Sequence, residues 1–387
     1  MNASGLQRWM SVGTSADARP DVAARDAVTQ ALAGRQASLV MLFVSPTYNM
    51  HAIASAAAHA AQDAPVVGCS TSGEIADGRG GSGRVVAVAL GGDGLEARTS
   101  MGLLADGATA AGSAAAEGLR ALTRPHRALI LLPDGLAGHH ASVVRGAYAV
   151  GGATVQLVGG CAGDELAMGT TWQIFGDRAY TGVIVGAAIG SDGPIGIGVG
   201  HGWRRTGDPL VVTSSDGSQI FTIDDQPALD AYLAATDAPA AASSDQEAWQ
   251  RHALERPFGL PRPGGDEVRA VLSADFDNRS LFCGDIPQGS MIWPMEGDAD
   301  SVMRGTDTAM DEAIGALQGV PAVGFIAFDC AARRNILGEE GVATETSRLA
   351  QRAGEAPVAG FYTYGEVARR TGSRGVHSAT LVLLALG

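Results

Sequence analysis

Two short segments carry the same carboxylate in the same company. Thr71-Ser72-Gly73-Glu74 and Thr363-Tyr364-Gly365-Glu366 both read Thr-x-Gly-Glu, and each follows an apolar run. A carboxylate beside a buried strand end costs free energy unless it accepts hydrogen bonds. Such a glutamate either ties down its own loop through backbone N–H groups or meets a ligand directly. Tyr362 and Tyr364 flank Thr363, where the first copy has Ser70 and Ser72. The larger pair either packs in the interior or lines a cavity that the first copy leaves open.

Arginines and cysteines supply the other chemistry. Arg204-Arg205 and Arg333-Arg334 are adjacent pairs, and a guanidinium fork matches carboxylate or phosphate. These arginines either converge on an acidic ligand or pair with the repeat glutamates. Cys69, Cys161 and Cys330 fall at the ends of apolar runs, with Cys283 apart from them. None forms a Cys-x-x-Cys pair, which argues against a zinc ribbon. Each is either a small buried filler or a reactive group, and a nucleophile would need a base within hydrogen-bond reach. The chain contains no lysine. That removes Schiff-base chemistry, a pyridoxal-phosphate anchor and a Walker lysine.

The elements that must hold these residues repeat. Residues 64–76, APVVGCSTSGEIA, and 356–368, APVAGFYTYGEVA, agree at eight positions in register. A weaker third copy at 155–166, VQLVGGCAGDEL, aligns Gly159 with Gly68 and Glu165 with Glu74. Repetition of this kind sets the architecture. Each copy lies between continuous apolar runs: 38–44 and 84–90, 128–132 and 181–189, 323–328 and 379–386. Continuous runs suit strands buried on both faces. The stretches 50–62, 139–150 and 345–353 fit crossover helices. A further helix is expected over 21–32, stopping at Gly34. The fold class is therefore α/β with mixed sheets: two pseudo-repeated domains of strand–helix–strand–Gly-Glu loop–strand units. The strand after each Gly-Glu loop follows too closely for a crossover and should run antiparallel to its predecessor. Between the second and third units, Asp216-Gly217 and Asp277-Asn278 mark hairpins, and 238–249 reads as a surface loop or fraying helix. The rule that ligands sit beyond the carboxyl ends of strands nominates the loops at 45–48, 133–140 and 329–334. A cleft between the two halves is the default site.

Formal net charge is −14 and no basic run stands out, so nucleic acid and anionic membrane surfaces are poor partners. No apolar stretch approaches the ~20 residues that span a bilayer, and the first twenty residues lack the pattern of a signal peptide. A soluble cytoplasmic protein is expected.

The order VVGCSTSGEI, LPDGL, VGGCAGDE, GHGWRRTG, PALDAY, RPFGL, FDCAARRNILG and GFYTYGEV resembles the FIST family of two-part sensory modules, over residues 38 to 386. The resemblance implies a 1–37 extension with a helix, a FIST N-like domain over 38–222 and a FIST C-like domain over 223–387. It also implies a non-enzymatic sensor that binds a small molecule and acts on a histidine kinase or cyclic-dinucleotide enzyme. Some free-standing members bind haem and sense nitric oxide, so haem is the cofactor to test. His201, beside Trp203, and His377, before the last apolar run, are the candidate iron ligands; a haem ligand needs a neutral imidazole in an apolar pocket. The remaining candidates for ligand contact are Cys69, Thr71, Glu74, Cys161, Arg204, Cys330, Arg333, Arg334, Tyr362, Tyr364 and Glu366. The chain departs from the family pattern at His139-His140, where an acidic pair is expected, and at His377-Ser378, where His-Asn is common. Ligand identity stays open, with an amino-acid-type molecule as one alternative and a cysteine-dependent hydrolase or transferase as another. Self-association stays open too.

Overall fold

The computed structural model describes residues 7–262, 265–284, 286–369 and 375–387. Its fold class is the expected one, mixed α/β with mixed sheets. The repeated unit is longer than the sequence suggested and occurs three times. The first unit runs strand Trp9–Ser15, helix Pro20–Leu32, strand Leu39–Val44, helix Met50–Ala61, strand Val66–Ser70, a hairpin (Glu74–Ala76 with Arg79–Gly81) and strand Val85–Gly91. The second repeats this order from Leu95–Leu103 to Val183–Ser191, with hairpin Gln173–Phe175 and Arg178–Tyr180. The third starts at Ile195–Gly200 and ends at Leu381–Leu386. A β lobe interrupts it after its first strand and gives way to the helix Ala299–Gly315.

In every unit the middle strands form a parallel pair: Leu39–Val44 with Val66–Ser70, His126–Pro133 with Gln156–Gly160, and Gly324–Cys330 with Val358–Thr363. The closing strand lies antiparallel beside the first of each pair, not beside its predecessor, because a hairpin separates it from the second. The hairpin, however, leaves its own sheet. That of unit one pairs with Val358–Thr363 of unit three, that of unit three with Gln156–Gly160 of unit two, and that of unit two with Val66–Ser70 of unit one. The exchange is cyclic.

The inner faces of the three sheets meet in one core containing Phe43, Val88, Ile130, Val185, Phe328 and Phe361. Two helices cover each outer face, burying Ala27 and Ile53 on the first sheet, Ala111 and Val144 on the second, and Met310 and Leu349 on the third. The strands are thus buried on both faces, which is why they read as continuous apolar runs. Gly68, Gly159 and Gly360 occupy equivalent positions. A side chain there would collide with the carbonyl of Leu42, Leu131 or Ala327 on the paired strand.

The register corrects the alignment of the third copy. Glu74 lies opposite Phe361, Glu366 opposite Gly160 and Gln173 opposite Cys69. Gln173, not Glu165, is the counterpart of the repeat glutamates. Residues 164–171 are an insertion in that loop, and Glu165 lies within it with φ 56°. Arg333 and Arg334 are also not on a loop: helix Ala331–Ala353, with non-helical geometry at Gly338, begins directly after Cys330. The two expected hairpins are present, Leu210–Asp216 with Gln219–Ile223 and Val271–Asp275 with Ser280–Cys283. They share one sheet with Met291–Glu296 in the inserted lobe. Residues 238–249 hold a 3-10 turn at Ala240–Ser243 and the start of helix Gln246–Leu254, capped by Asp245.

Candidate functional site

The two Thr-x-Gly-Glu turns are built alike. Thr71 Oγ1 donates to Glu74 Oε1 at 2.5 Å and accepts from the Gly73 N–H at 3.2 Å. Thr363 Oγ1 makes the same bonds to Glu366 and Gly365 at 3.1 and 2.9 Å. The second carboxylate oxygen takes the N–H just before the closing strand of its own unit: Arg84 N at 3.3 Å for Glu74 and Thr380 N at 3.1 Å for Glu366. Each glutamate therefore ties an exchanged hairpin back to the unit it left. Burial pushes Glu74 up to about 7 and Glu366 up to about 8. In unit two Ala162 replaces the threonine, and Asp134 accepts the corresponding Gly182 N–H at 2.8 Å. Gln173, left without that role, is fully buried and neither amide atom has a partner.

Between units the turns interlock. Ser72 N–H donates to Tyr362 O, Tyr364 N–H to Cys161 O, and Gly163 N–H to Ser70 O. Arg334 reaches from unit three to the Ser72 carbonyl and to Ser82 Oγ, with its guanidinium 5.4 Å from the centre of the Tyr362 ring. The Tyr364 hydroxyl donates to Asp164, which also accepts the N–H groups of Met168, Gly169 and Thr170. The carboxyl ends of the parallel pairs, where a doubly wound sheet would hold its ligand, are closed by these contacts. Thr71, Glu74, Tyr362, Tyr364 and Glu366 all belong to this junction.

The four cysteines are buried and free. Burial pushes the thiols of Cys69, Cys161, Cys283 and Cys330 well up, so none supplies a thiolate at neutral pH. The four arginines singled out in the sequence do not converge. Arg333 is fully buried between Asp329, at 2.7 Å, and Glu345, at 2.5 Å. It also donates to Thr306, Val302 O and His201 O. Burial pushes the Asp329 carboxyl well up. Arg205 pairs with Asp266 and stacks on Trp293. Arg204 lines a cavity.

That cavity, about 920 Å³, lies between unit two, the first strand and helix of unit three, and the inserted lobe. His201, Arg204 and His377 face it, joined by residues the sequence did not single out: Tyr148, Gln156, Arg262, Arg304 and Arg369. Its three carboxylates are engaged. Asp266 pairs with Arg205, Glu267 with Arg262 and Arg269, and Glu312 Oε2 accepts the Val199 N–H at 3.0 Å. Among the described residues no carboxylate lies within ion-pair distance of Arg304 or Arg369. Arg262 Nη2 and Gln156 Oε1 are buried without a hydrogen-bond partner. Such orphaned atoms cost about 1–3 kcal/mol each unless something fills the site.

The two imidazoles are neutral, burial pushing each down to about 4. His201 Nδ1 accepts the Trp203 N–H at 3.0 Å, which places the ring proton on Nε2. His377 Nε2 donates to Ala368 O at 2.8 Å. Neither ring offers a bare Nε2 for an axial haem ligand in this arrangement. Among the described residues no group of three or more His, Cys, Asp or Glu side chains could hold a metal ion, and no helix is long and apolar enough to cross a membrane.

Two family models match the chain, a FIST N domain over residues 38–226 and a FIST C domain over 228–369. Their boundary falls inside the inserted lobe, between strand Gln226–Pro227 and helix Ala228–Ala235. Uncharacterized proteins from two strains of Mycobacterium tuberculosis are each 27% identical over 388 residues, 96% of this chain and 98% of their own length. An uncharacterized protein of Mycobacterium bovis is 26% identical over 234 residues, 58% of either chain.

Proposed function

This chain belongs to the FIST family, whose domains are small-ligand-sensing modules of signal transduction, and on that premise we propose that the 920 Å³ cavity is its sensing site. The ligand is a small molecule with an acidic group. The observation that carries this reading is a surplus of positive charge in a chain of net charge −14. Arg304 and Arg369 face the cavity without an ion-pair partner among the described residues, beside the orphaned Arg262 Nη2. A bidentate carboxylate or phosphate satisfies such groups directly. The site draws its walls from both family domains and from the inserted lobe, so a bound ligand can change how these parts sit together and report to a partner protein. A histidine kinase or cyclic-dinucleotide enzyme is the class of partner this reading carries.

Calorimetric titration with a panel of carboxylates, amino acids and phosphates tests the proposal. At least one should bind to the wild type, and Arg304→Gln should weaken it about tenfold or more. No binding by any acidic compound, or equal binding by the variant, overturns it. Haem-based nitric oxide sensing would need either His201 or His377 to give up the bond that fixes its ring. Reconstitution with haem is therefore expected to leave no Soret band; a band lost in His201→Ala or His377→Ala would reverse that expectation. A cysteine-dependent hydrolase finds no support in four buried, protonated thiols.

A further inference from the structure

A second cavity of about 770 Å³ adjoins the first, and the two share Tyr148 and Arg369. The Arg369 guanidinium lies over the Tyr148 ring. A cation–π contact holds the charge in place without neutralising it. Beyond this shared gate the second cavity adds Arg145 and His139 and faces one carboxylate, Asp216. Arg145 bonds only to the Ser142 hydroxyl among the described residues, so its charge has no internal partner. Guanidinium groups without an ion pair among the described residues thus stand in three places: Arg304 in the first cavity, Arg369 where the two meet, and Arg145 in the second. They come from three separate elements, helix Ala299–Gly315, strand Glu366–Arg369 and helix His140–Gly151, so no single helix's periodicity brings them to these cavities. The chain as a whole carries a formal net charge of −14.

Resting on the sensing-site reading above, we propose that the two cavities form one elongated binding trough for a ligand with two anionic groups, one at Arg304 and one at Arg145, its middle passing Arg369. Linking two acidic groups makes the second contact intramolecular, and the gain appears only when the spacer spans the distance. Carboxylate and phosphate both fit the guanidinium geometry.

The test titrates the full-length chain with α,ω-dicarboxylates of increasing length, with linear polyphosphates, and with the matching monocarboxylates and orthophosphate. Affinity should rise about tenfold or more over the single-headed compound at one spacer length. The series that shows the rise identifies the acidic group. Arg145 is exposed, so Arg145→Gln should fold normally, abolish the advantage of the two-headed compound and leave the single-headed one unchanged. Arg369→Gln should weaken both. Single-headed binding with no gain from the second group, or a gain that survives Arg145→Gln, overturns the trough and leaves the sensing site standing. Absence of any anion binding overturns both.

Discussion

The interlocked turns between the units and the cavity beside the third unit use the same residue types to opposite ends. At the turns, Glu74 and Glu366 each find a threonine hydroxyl and a backbone N–H within the chain. In the cavity, Arg304 and Arg369 find no carboxylate within ion-pair distance, and Arg262 Nη2 finds no acceptor, among the described residues. Polar groups that the chain satisfies by itself hold the fold together. Those it leaves unsatisfied at a cavity are where a second molecule can add free energy. Charge alone does not separate the two cases, since Arg333 is as cationic as Arg304 and is wholly structural.

Substitutions that remove one member from each region sharpen that contrast. The largest effect is expected from Arg333→Met. It strands Asp329 and Glu345 in the core and should cost about 3–5 kcal/mol in urea unfolding, whereas Arg304→Gln should change stability by under about 0.5 kcal/mol and affect only binding. Next comes the repeat position itself. Gln173→Glu would bury a carboxylate where no threonine stands and where Asp134 already takes the Gly182 N–H. It should destabilise by roughly 2–4 kcal/mol at pH 8, more than Glu74→Gln does.

Stability against pH is the third comparison. The folded Glu74 and Glu366 carboxyls lie at about 7 and about 8, above the ordinary 4.5. A raised folded value means that the stabilising protonated form is fully present below pH 4.5 and is lost as pH climbs to 7 or 8. Wild-type stability should therefore fall between pH 5 and pH 8, by an amount on the order of 3 kcal/mol for each glutamate. The Glu74→Gln, Glu366→Gln double variant should show a flatter profile; an equal slope in both proteins would remove these groups as the cause. The smallest effect concerns the thiols. A maleimide probe should label none of the four cysteines in the native protein at neutral pH and all four in urea.

Much of the fold was legible because its causes are local. The recurrence of 64–76 at 356–368 and the continuous apolar runs sufficed for buried strands and a repeated α/β unit. Proline at the start of the first helix and Gly34 just past its end marked that helix to within a residue or two. The edge strands Trp9–Ser15 and Leu95–Leu103 escaped notice. Half-exposed strands of mixed polarity, such as LEARTSMGL, carry neither clean alternation nor a continuous apolar run. The third copy misled for a different reason: the eight-residue insertion at 164–171 contains Asp164-Glu165 in the place where Gly73-Glu74 would align, and only strand register exposes Gln173 as the true counterpart. Of the proposed site residues, His201, Arg204 and His377 come together at the cavity. Arg262, Arg304 and Arg369 were invisible because nothing in their sequence neighbourhood distinguishes a cavity arginine from a solvated one.

What the residues determined alone is the unit: which stretches form strands, which form helices, and that a glycine-glutamate turn follows the second parallel strand. Those outcomes rest on periodicity, capping and backbone sterics within a few residues. The tertiary structure decided which sheet each hairpin joins and which guanidinium groups meet no carboxylate. These depend on contacts between segments more than a hundred residues apart, such as Glu366 opposite Gly160, and no local pattern encodes the partner across that distance.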